Sequence, residues 1–328
     1  MNQLRAAITG VGAYLPEDVV TNDDLSRMVD TTDEWIMTRI GIKTRHILKG
    51  DGKGTSDLAV EAVKELFEKT KTKPEEVDLV ICCTVTPDML FPSTACIVCD
   101  KLDIRNAFAF DLNAGCSGFL YGLSTAARFI ESGKYKKIVL IGAEKMTAIV
   151  DYTDRATSPI FGDGAGAVLI EPTTENVGVL DEDLKSDGIG RIHLHMKAGG
   201  SVKPPTHETI DAREHYIYQE GQPVFKWAVS KMADTADDVM KRNNLDPNKT
   251  WLAPHQANLR IIDAVGQRMG IDNSRVMINI EKYGNTTAAT IPLLLWEWES
   301  KLKKGDDIIL AAFGAGFTWG AMWVKWAY

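Results

Sequence analysis

The chain repeats itself, and no other feature of the sequence limits its fold as tightly. In the first half a helical stretch is followed by Pro74-Glu-Glu-Val-Asp-Leu-Val-Ile, and in the second a helical stretch is followed by Pro247-Asn-Lys-Thr-Trp-Leu-Ala-Pro. Cys116 opens a helix that leads into Lys137-Ile-Val-Leu-Ile-Gly-Ala, while Asn285 precedes a helix that leads into Asp307-Ile-Ile-Leu-Ala-Ala-Phe. Cys116 to Ile141 spans 25 positions (141 − 116), and Asn285 to Leu310 spans the same 25 (310 − 285). Finally, Phe161-Gly-Asp-Gly-Ala-Gly-Ala parallels Phe313-Gly-Ala-Gly-Phe-Thr-Trp. The offset between the copies falls from 169 (285 − 116) to 152 (313 − 161) at this last match, which places an insertion at about residues 145–160. Two similar units that each leave an apolar face uncovered bury it by packing together. The expected architecture is therefore two facing halves, 1–172 and 173–328, in one compact body.

Each half reads as α/β. Residues 5 to 11 form a buried strand, and Thr31-x-x-Glu34 has the spacing of a capping box that opens a short helix ending before Gly41. Thr55 or Ser56 caps a helix over 57–70, with Leu58, Val63, Leu66 and Phe67 on one face. The unbroken apolar run from Val77 to Thr84 has the pattern of a strand covered on both faces. Residues 176 to 224 are rich in Gly, His and Pro without a helical period, and are expected as loops and short strands.

Composition excludes several function classes. At 328 residues with 45% apolar and 25% charged side chains, the chain is long enough for a large core and too apolar for disorder. The net charge of 37 − 45 = −8 argues against nucleic acid as the main partner, because neutralising phosphates needs a basic surplus. Five cysteines, an odd and low count, imply no disulfide framework and fit a reduced, cytoplasmic setting. No apolar run approaches the ~20 residues of a membrane span.

The duplication also sorts the reactive residues. Cys116 sits among small residues where a strand gives way to a helix, so its sulfur is expected at a helix N-terminus, with a lowered pKa. Cys82 and Cys83 lie inside the apolar strand and read as packing. Cys96-x-x-Cys99 lacks a second ligand pair and reads as packing on a helix, so no metal site is expected. His255, in Pro254-His-Gln-Ala-Asn, stands where a strand turns into a helix, the place at which α/β sheets display functional groups. His46, His193, His195, His207 and His215 read as structural or solvated. Asn285 alone would be an ordinary helix cap. The repeat, however, places Cys116 and Asn285 at equivalent positions, with His255 at the corresponding strand end.

With these residues the chain resembles the type III β-ketoacyl-acyl carrier protein synthases of the thiolase-like superfamily, nearly end to end. The resemblance runs from Ile8-Thr-Gly-Val-Gly-Ala-Tyr-Leu-Pro, through Asp33-Glu-Trp-Ile-Met-Thr-Arg-Ile-Gly-Ile, Gly115-Cys-Ser-Gly, Pro254-His-Gln-Ala-Asn and Tyr283-Gly-Asn-Thr, to Phe313-Gly-Ala-Gly-Phe-Thr-Trp-Gly. It implies a thiolase-like five-layer α/β/α/β/α fold of two duplicated halves and a ping-pong Claisen condensation without a cofactor, acyl-CoA and malonyl-acyl carrier protein being substrates. By resemblance Cys116 is the nucleophile, His255 and Asn285 stabilise the enolate, and the backbone N–H groups of Cys116 and Ala315 form the oxyanion hole. Ala315 stands where the family commonly has glycine, a change a backbone donor tolerates if alanine can adopt the required conformation.

The resemblance further implies that Trp35 and Arg155 sandwich the adenine of CoA, that Arg39 lies near its phosphates, and that Asn258 contacts its pantetheine. Lys226, Arg260 and Arg268 match docking positions for the acidic acyl carrier protein, with Gln267 replacing a frequently basic residue. Phe161 belongs to the acyl pocket, and Phe91 enters the pocket of a second subunit, which implies a homodimer. Residues 192 to 220 are where primer selectivity would vary. The leading expectation is the first condensation of type II fatty-acid synthesis, with a short primer such as acetyl-CoA. A starter synthase of a polyketide or secondary-metabolite pathway is the alternative within the class. A cysteine hydrolase and a catalytically silent acyl-binding module fit the duplicated halves and the intact Cys, His, Asn set less well.

Overall fold

The computed structural model describes residues 4–328 as two large sheets, two small two-stranded ones and three helical layers. The first half supplies strands β1 (Arg5–Tyr14), β2 (Val19–Thr21), β3 (Thr44–His46), β4 (Leu79–Cys83), β5 (Phe108–Leu112), β6 (Ile138–Glu144) and β7 (Gly164–Thr173). The second half supplies β8 (Gly178–Ser186), β9 (Leu194–Met196), β10 (Ile217–Gln219), β11 (Trp251–Pro254), β12 (Asp307–Gly314) and β13 (Thr318–Lys325). The helices are α1 (Asn22–Ser26), α2 (Asp33–Arg39), α3 (Thr55–Thr70), α4 (Thr94–Lys101), α5 (Gly118–Glu131), α6 (His207–Asp211), α7 (Gly221–Arg242), α8 (Leu259–Arg268), α9 (Ile280–Tyr283) and α10 (Thr290–Trp298).

The two large sheets have matching topology. One runs β1-β7-β6-β4-β5 and the other, read in the same sense, β8-β13-β12-β11. In each, the first two pairings are antiparallel and the third is parallel. The counterpart of β5 is reduced to an isolated parallel bridge between Leu252 and Val276. The insertion inferred from the offset lies between β6 and β7: 19 residues (145–163) separate those strands, whereas three (315–317) separate β12 from β13.

Burial explains the layering. Leu120, Leu123 and Ile130 of α5 and Ile291, Leu294 and Leu295 of α10 pack in one cluster with inward residues of both sheets, such as Leu140, Val168, Leu310 and Met322. These two helices fill the space between the sheets. Leu58, Val63 and Leu66 of α3 and Ala95 and Val98 of α4 cover the outer face of the first sheet through Val80, Val139 and Leu169. Ala236 and Val239 of α7 and Ile262 and Val265 of α8 cover the second through Ile309, Ala311 and Ala321. The result is the five-layer α/β/α/β/α arrangement.

Three local expectations shift. The cap of α2 is Thr32, not Thr31, because the Thr32 hydroxyl accepts the Trp35 N–H at 3.1 Å. Helix α3 starts at Thr55 with Gly54 as its cap, and the Asp57 carboxylate accepts the Gly54 N–H at 2.8 Å. The 176–224 stretch is not wholly an excursion, since it contains β8, an edge strand of the second sheet. The remainder includes the small β9–β10 hairpin and helix α6.

Candidate active site

Cys116, His255 and Asn285 line one cavity of about 850 Å³ together with Trp35, Arg39, Phe161, Lys226, Asn258, Arg260 and Ala315. The fold brings the three together because each lies in a turn beside the helices packed between the two sheets or at the end of a strand next to them. Cys116 lies in the turn between β5 and α5, Asn285 immediately precedes the turn that opens α10, and His255 extends β11 with its backbone N–H on the Ala311 carbonyl at 2.8 Å. The openings of α5 and α10 nearly touch: a Cβ built on Gly118 would lie 3.4 Å from the Ala288 Cβ.

Cys116 is set by a close meeting of two backbones. Gly115 has φ +56°, and a Cβ there would lie 2.8 Å from the Ala315 nitrogen, so glycine satisfies both the left-handed conformation and the contact. The thiol faces the backbone N–H groups of Cys116 itself and of Ala315. Ala315 has no positive φ, so the alanine sits in an ordinary backbone conformation. Burial nevertheless pushes the Cys116 thiol up to about 12, with the Glu144 carboxylate adding in the same direction and the two N–H groups opposing. The lowered pKa expected from the helix terminus is thus reversed, because loss of solvation outweighs two amide dipoles.

His255 is buried, and burial lowers its pKa to about 3, which keeps the imidazole neutral. Its Nδ1 lies 2.6 Å from the Thr290 hydroxyl, and its Nε2 has no protein partner. Asn285 is fixed from both sides by the inserted segment: its N–H donates to the Ile160 carbonyl at 2.9 Å, and its carbonyl accepts the Gly162 N–H at 3.2 Å. Its side-chain Oδ1 accepts the Thr287 N–H at 2.8 Å, which leaves the amide NH2 as the free end. Thr287 holds φ +53°, a costly conformation for a β-branched residue and one of the kind that clusters at functional sites.

The remaining expected residues fall at the cavity mouth or away from it. Arg155 stacks on the Trp35 ring with its guanidinium carbon 4.6 Å from the centroid. The two planes touch, so a purine between them, needing about 3.5 Å on each face, requires Arg155 to swing outward. Asn258 caps α8 through the Arg260 N–H at 2.9 Å and donates to the Arg39 carbonyl at 3.0 Å, which ties α8 to α2. Arg260 lies over the Phe225 ring. Arg268 is not part of the cavity wall and pairs with Asp234. Phe91 does not line the cavity and is 84% exposed, beside Leu90 at 82%.

Two residues escaped the sequence. Glu144, at the end of β6, is completely buried and accepts bonds from the Thr84 and Thr86 hydroxyls, the Val85 and Thr86 N–H groups and the Ala288 N–H. It thereby ties the loop after β4 to the loop of Asn285. The other is Thr290. Both stand as single polar residues at the edge of apolar runs, where spacing carries no signal. Cys96 is exposed and Cys99 buried on α4, and among the described residues no group of three His, Cys, Asp or Glu could hold a metal.

A doubled α/β body with a half-buried cysteine and a buried histidine and asparagine converging on one cavity defines a thiolase-like condensing enzyme. The sequence model described as 3-oxoacyl-[acyl-carrier-protein] synthase III matches residues 110–188, and that of its C-terminal part matches 240–326. Beta-ketoacyl-[acyl-carrier-protein] synthase III 1 of Bacteroides thetaiotaomicron is 58% identical over 100% of this chain and 98% of its own length. The synthase III of Porphyromonas gingivalis strain W83 is 60% identical with the same coverage. The crystal structure of 3-oxoacyl-[acyl-carrier-protein] synthase III from Aquifex aeolicus is 41% identical, with a TM-score of 0.89 over 98% of this chain and 100% of that one. The chain belongs to the β-ketoacyl-acyl carrier protein synthase III family, an acyltransferase family of condensing enzymes.

Proposed function

We propose that this chain joins a short acyl-CoA, acetyl-CoA being the simplest, to malonyl-acyl carrier protein, giving 3-oxoacyl-acyl carrier protein, CoA and CO2 as the first condensation of type II fatty-acid synthesis. The convergence of Cys116, His255 and Asn285 on one cavity carries this reading. Cys116 attacks the acyl-CoA thioester, its proton ends on the departing CoA sulfur, and the exchange is nearly isoenergetic because one thioester replaces another. The N–H groups of Cys116 and Ala315 meet the oxygen of the tetrahedral species, each such donor being worth ~3 kcal/mol. Malonyl thioester then loses CO2; the electron pair of the broken C–C bond becomes an enolate whose oxygen takes bonds from His255 and Asn285. The enolate carbon attacks the acyl carbonyl and expels the Cys116 sulfur as a thiolate, which takes up one proton from solvent and restores the thiol. Burial that keeps His255 neutral suits a donor role.

Trp35, Arg39, Arg155 and Asn258 then serve CoA, and Lys226 and Arg260 at the cavity mouth receive the acidic carrier protein. Arg268, turned to Asp234, contributes to docking only if that pair opens. The exposed Leu90 and Phe91, and Phe108 on the unpaired edge strand β5, support a homodimer formed over that edge. Among the described residues no helix is long and apolar enough to cross a membrane, and the reading places the enzyme in the cytoplasm.

The test is intact-mass analysis after incubation with a panel of acyl-CoAs, followed by a chase with malonyl-acyl carrier protein. Short acyl groups should appear on the protein, disappear on the chase, and be absent from Cys116→Ala. An adduct that persists in that variant, or none from any acyl-CoA, overturns the mechanism. A priming β-ketosynthase of a polyketide pathway is 31% identical with a TM-score of 0.89; preference for long or aromatic primers would move this chain to that role.

A further inference from the structure

The two ring nitrogens of His255 meet different surroundings. Nδ1 lies 2.6 Å from the Thr290 hydroxyl oxygen, whereas Nε2 is buried without a protein partner, in a residue that lines the cavity. A neutral imidazole has one N–H, and a threonine hydroxyl has one O–H. The Thr290 oxygen also lies 3.1 Å from the Thr287 carbonyl. Two proton placements fit these contacts. In one, the hydroxyl donates to Thr287, Nδ1–H donates to the hydroxyl, and Nε2 presents a lone pair to the cavity. In the other, the hydroxyl donates to Nδ1, and Nε2 carries the proton.

Two observations separate them. The Thr287 carbonyl already accepts the Thr290 backbone N–H, so it does not depend on the hydroxyl proton. The contact to Nδ1 is also the shorter of the two. We propose that Thr290 is a positioning residue: its hydroxyl donates to His255 Nδ1 and so holds the imidazole in the tautomer whose proton is on Nε2, aimed at the oxygen of the bound malonyl thioester. This rests on the role given to His255 above. An Nε2 lone pair would repel an enolate oxygen, and the buried ring does not charge to supply both protons. The same short segment sets the other donor, since the Thr287 N–H occupies Asn285 Oδ1 and leaves the amide NH2 as the free end. One loop, 285–290, thus fixes which atom each of the two side chains offers.

The test has a spectroscopic and a kinetic arm, both on the full chain. With ¹⁵N-histidine labelling, His255 in the wild-type protein should show a protonated Nε2 and an unprotonated Nδ1; the reverse pattern overturns the proposal. Thr290→Val keeps the shape and removes the hydroxyl, while Thr290→Ser restores it. Malonyl decarboxylation and condensation should fall about 10- to 100-fold in Thr290→Val, the scale on which removing the outer partner of a metal-binding histidine acts. Acylation of Cys116 by acyl-CoA, read by intact mass, should stay within about threefold, and Thr290→Ser should recover most of the lost rate. Equal loss in both half-reactions, or a full condensation rate in Thr290→Val, overturns it. If Thr290→Val does not fold, the labelled wild type and Thr290→Ser still decide. His255→Ala separates this from the underlying reading: undiminished decarboxylation there refutes the role of His255 itself, whatever its tautomer.

Discussion

The ionisation of Cys116 can be tested without any substrate. Burial and the nearby Glu144 carboxylate move its thiol from an ordinary value of 9.0 to about 12. The thiolate is then about a thousandfold scarcer at neutral pH than for a free thiol, roughly one molecule in 10⁵ at pH 7 against one in 10². Iodoacetamide reacts with thiolate, so its rate at Cys116, followed by peptide mapping, should climb about tenfold per pH unit from 7 to 10 without levelling. The exposed Cys96 of the same sample reports the reagent and its access to the surface. Glu144→Gln removes one of the two causes and should move the whole Cys116 profile to lower pH. A plateau at Cys116 below pH 9, or faster reaction than Cys96 at pH 7, would show that the helix terminus and the two N–H groups win over desolvation, and would refute the reasoning.

Other perturbations give equally definite outcomes. In Gly314→Ala the new Cβ would lie 2.4 Å from the Cys116 nitrogen and 2.9 Å from its Cβ; the displaced donor should cut acylation of Cys116 by about 100-fold or more, measured by quenched intact-mass time courses. Trp35→Ala removes the surface on which Arg155 stacks, and steady-state kinetics should show KM for acyl-CoA up about tenfold, with kcat changed by less than about threefold. Glu144 has its pKa raised from 4.5 to about 7, so the folded state holds this proton more tightly than the unfolded chain. Its contribution is full below about pH 4.5 and is lost as pH rises to about 7, amounting to about 3 kcal/mol. Thermal unfolding from pH 5 to 8 should show that decline, and Glu144→Gln should flatten it.

The architecture was legible because a duplication is a long-range signal: matching 25-residue spacings are unlike anything that local propensity produces, and the change of offset located the segment between β6 and β7. What spacing could not show depends on tertiary partners. Strand β8 was hidden because Asp181, Glu182 and Asp183 interrupt its apolar pattern; at the sheet edge Asp181 takes Arg242 and Asn243, and Glu182 takes the Ser124 hydroxyl. The cap of α2 was misplaced by one because two adjacent threonines offer the same local chemistry, and only the geometry of the Trp35 N–H selects between them. Cys116, His255 and Asn285 were found together because the repeat aligns them. Glu144 and Thr290 belong to no repeat or motif, and their importance lies in which loops their oxygens join.

The order of the site's parts along the chain bears on how the protein is made. Trp35, Cys116 and the 160–162 segment that grips Asn285 are synthesised long before Asn285, and Gly314 and Ala315 come after every other element of the site. On the proposed mechanism a ribosome-bound chain that has already formed the first sheet therefore holds the nucleophile without its second oxyanion donor, Ala315, and without its enolate donors. Such a chain should be neither acylated efficiently nor able to decarboxylate malonyl thioester, which the intact-mass assay would show on a chain truncated before Gly314. On that mechanism activity requires β12 and β13 to dock against the turn of Cys116, where Gly314 and Ala315 meet Cys116 and Gly115, so the chemistry would itself report completed folding.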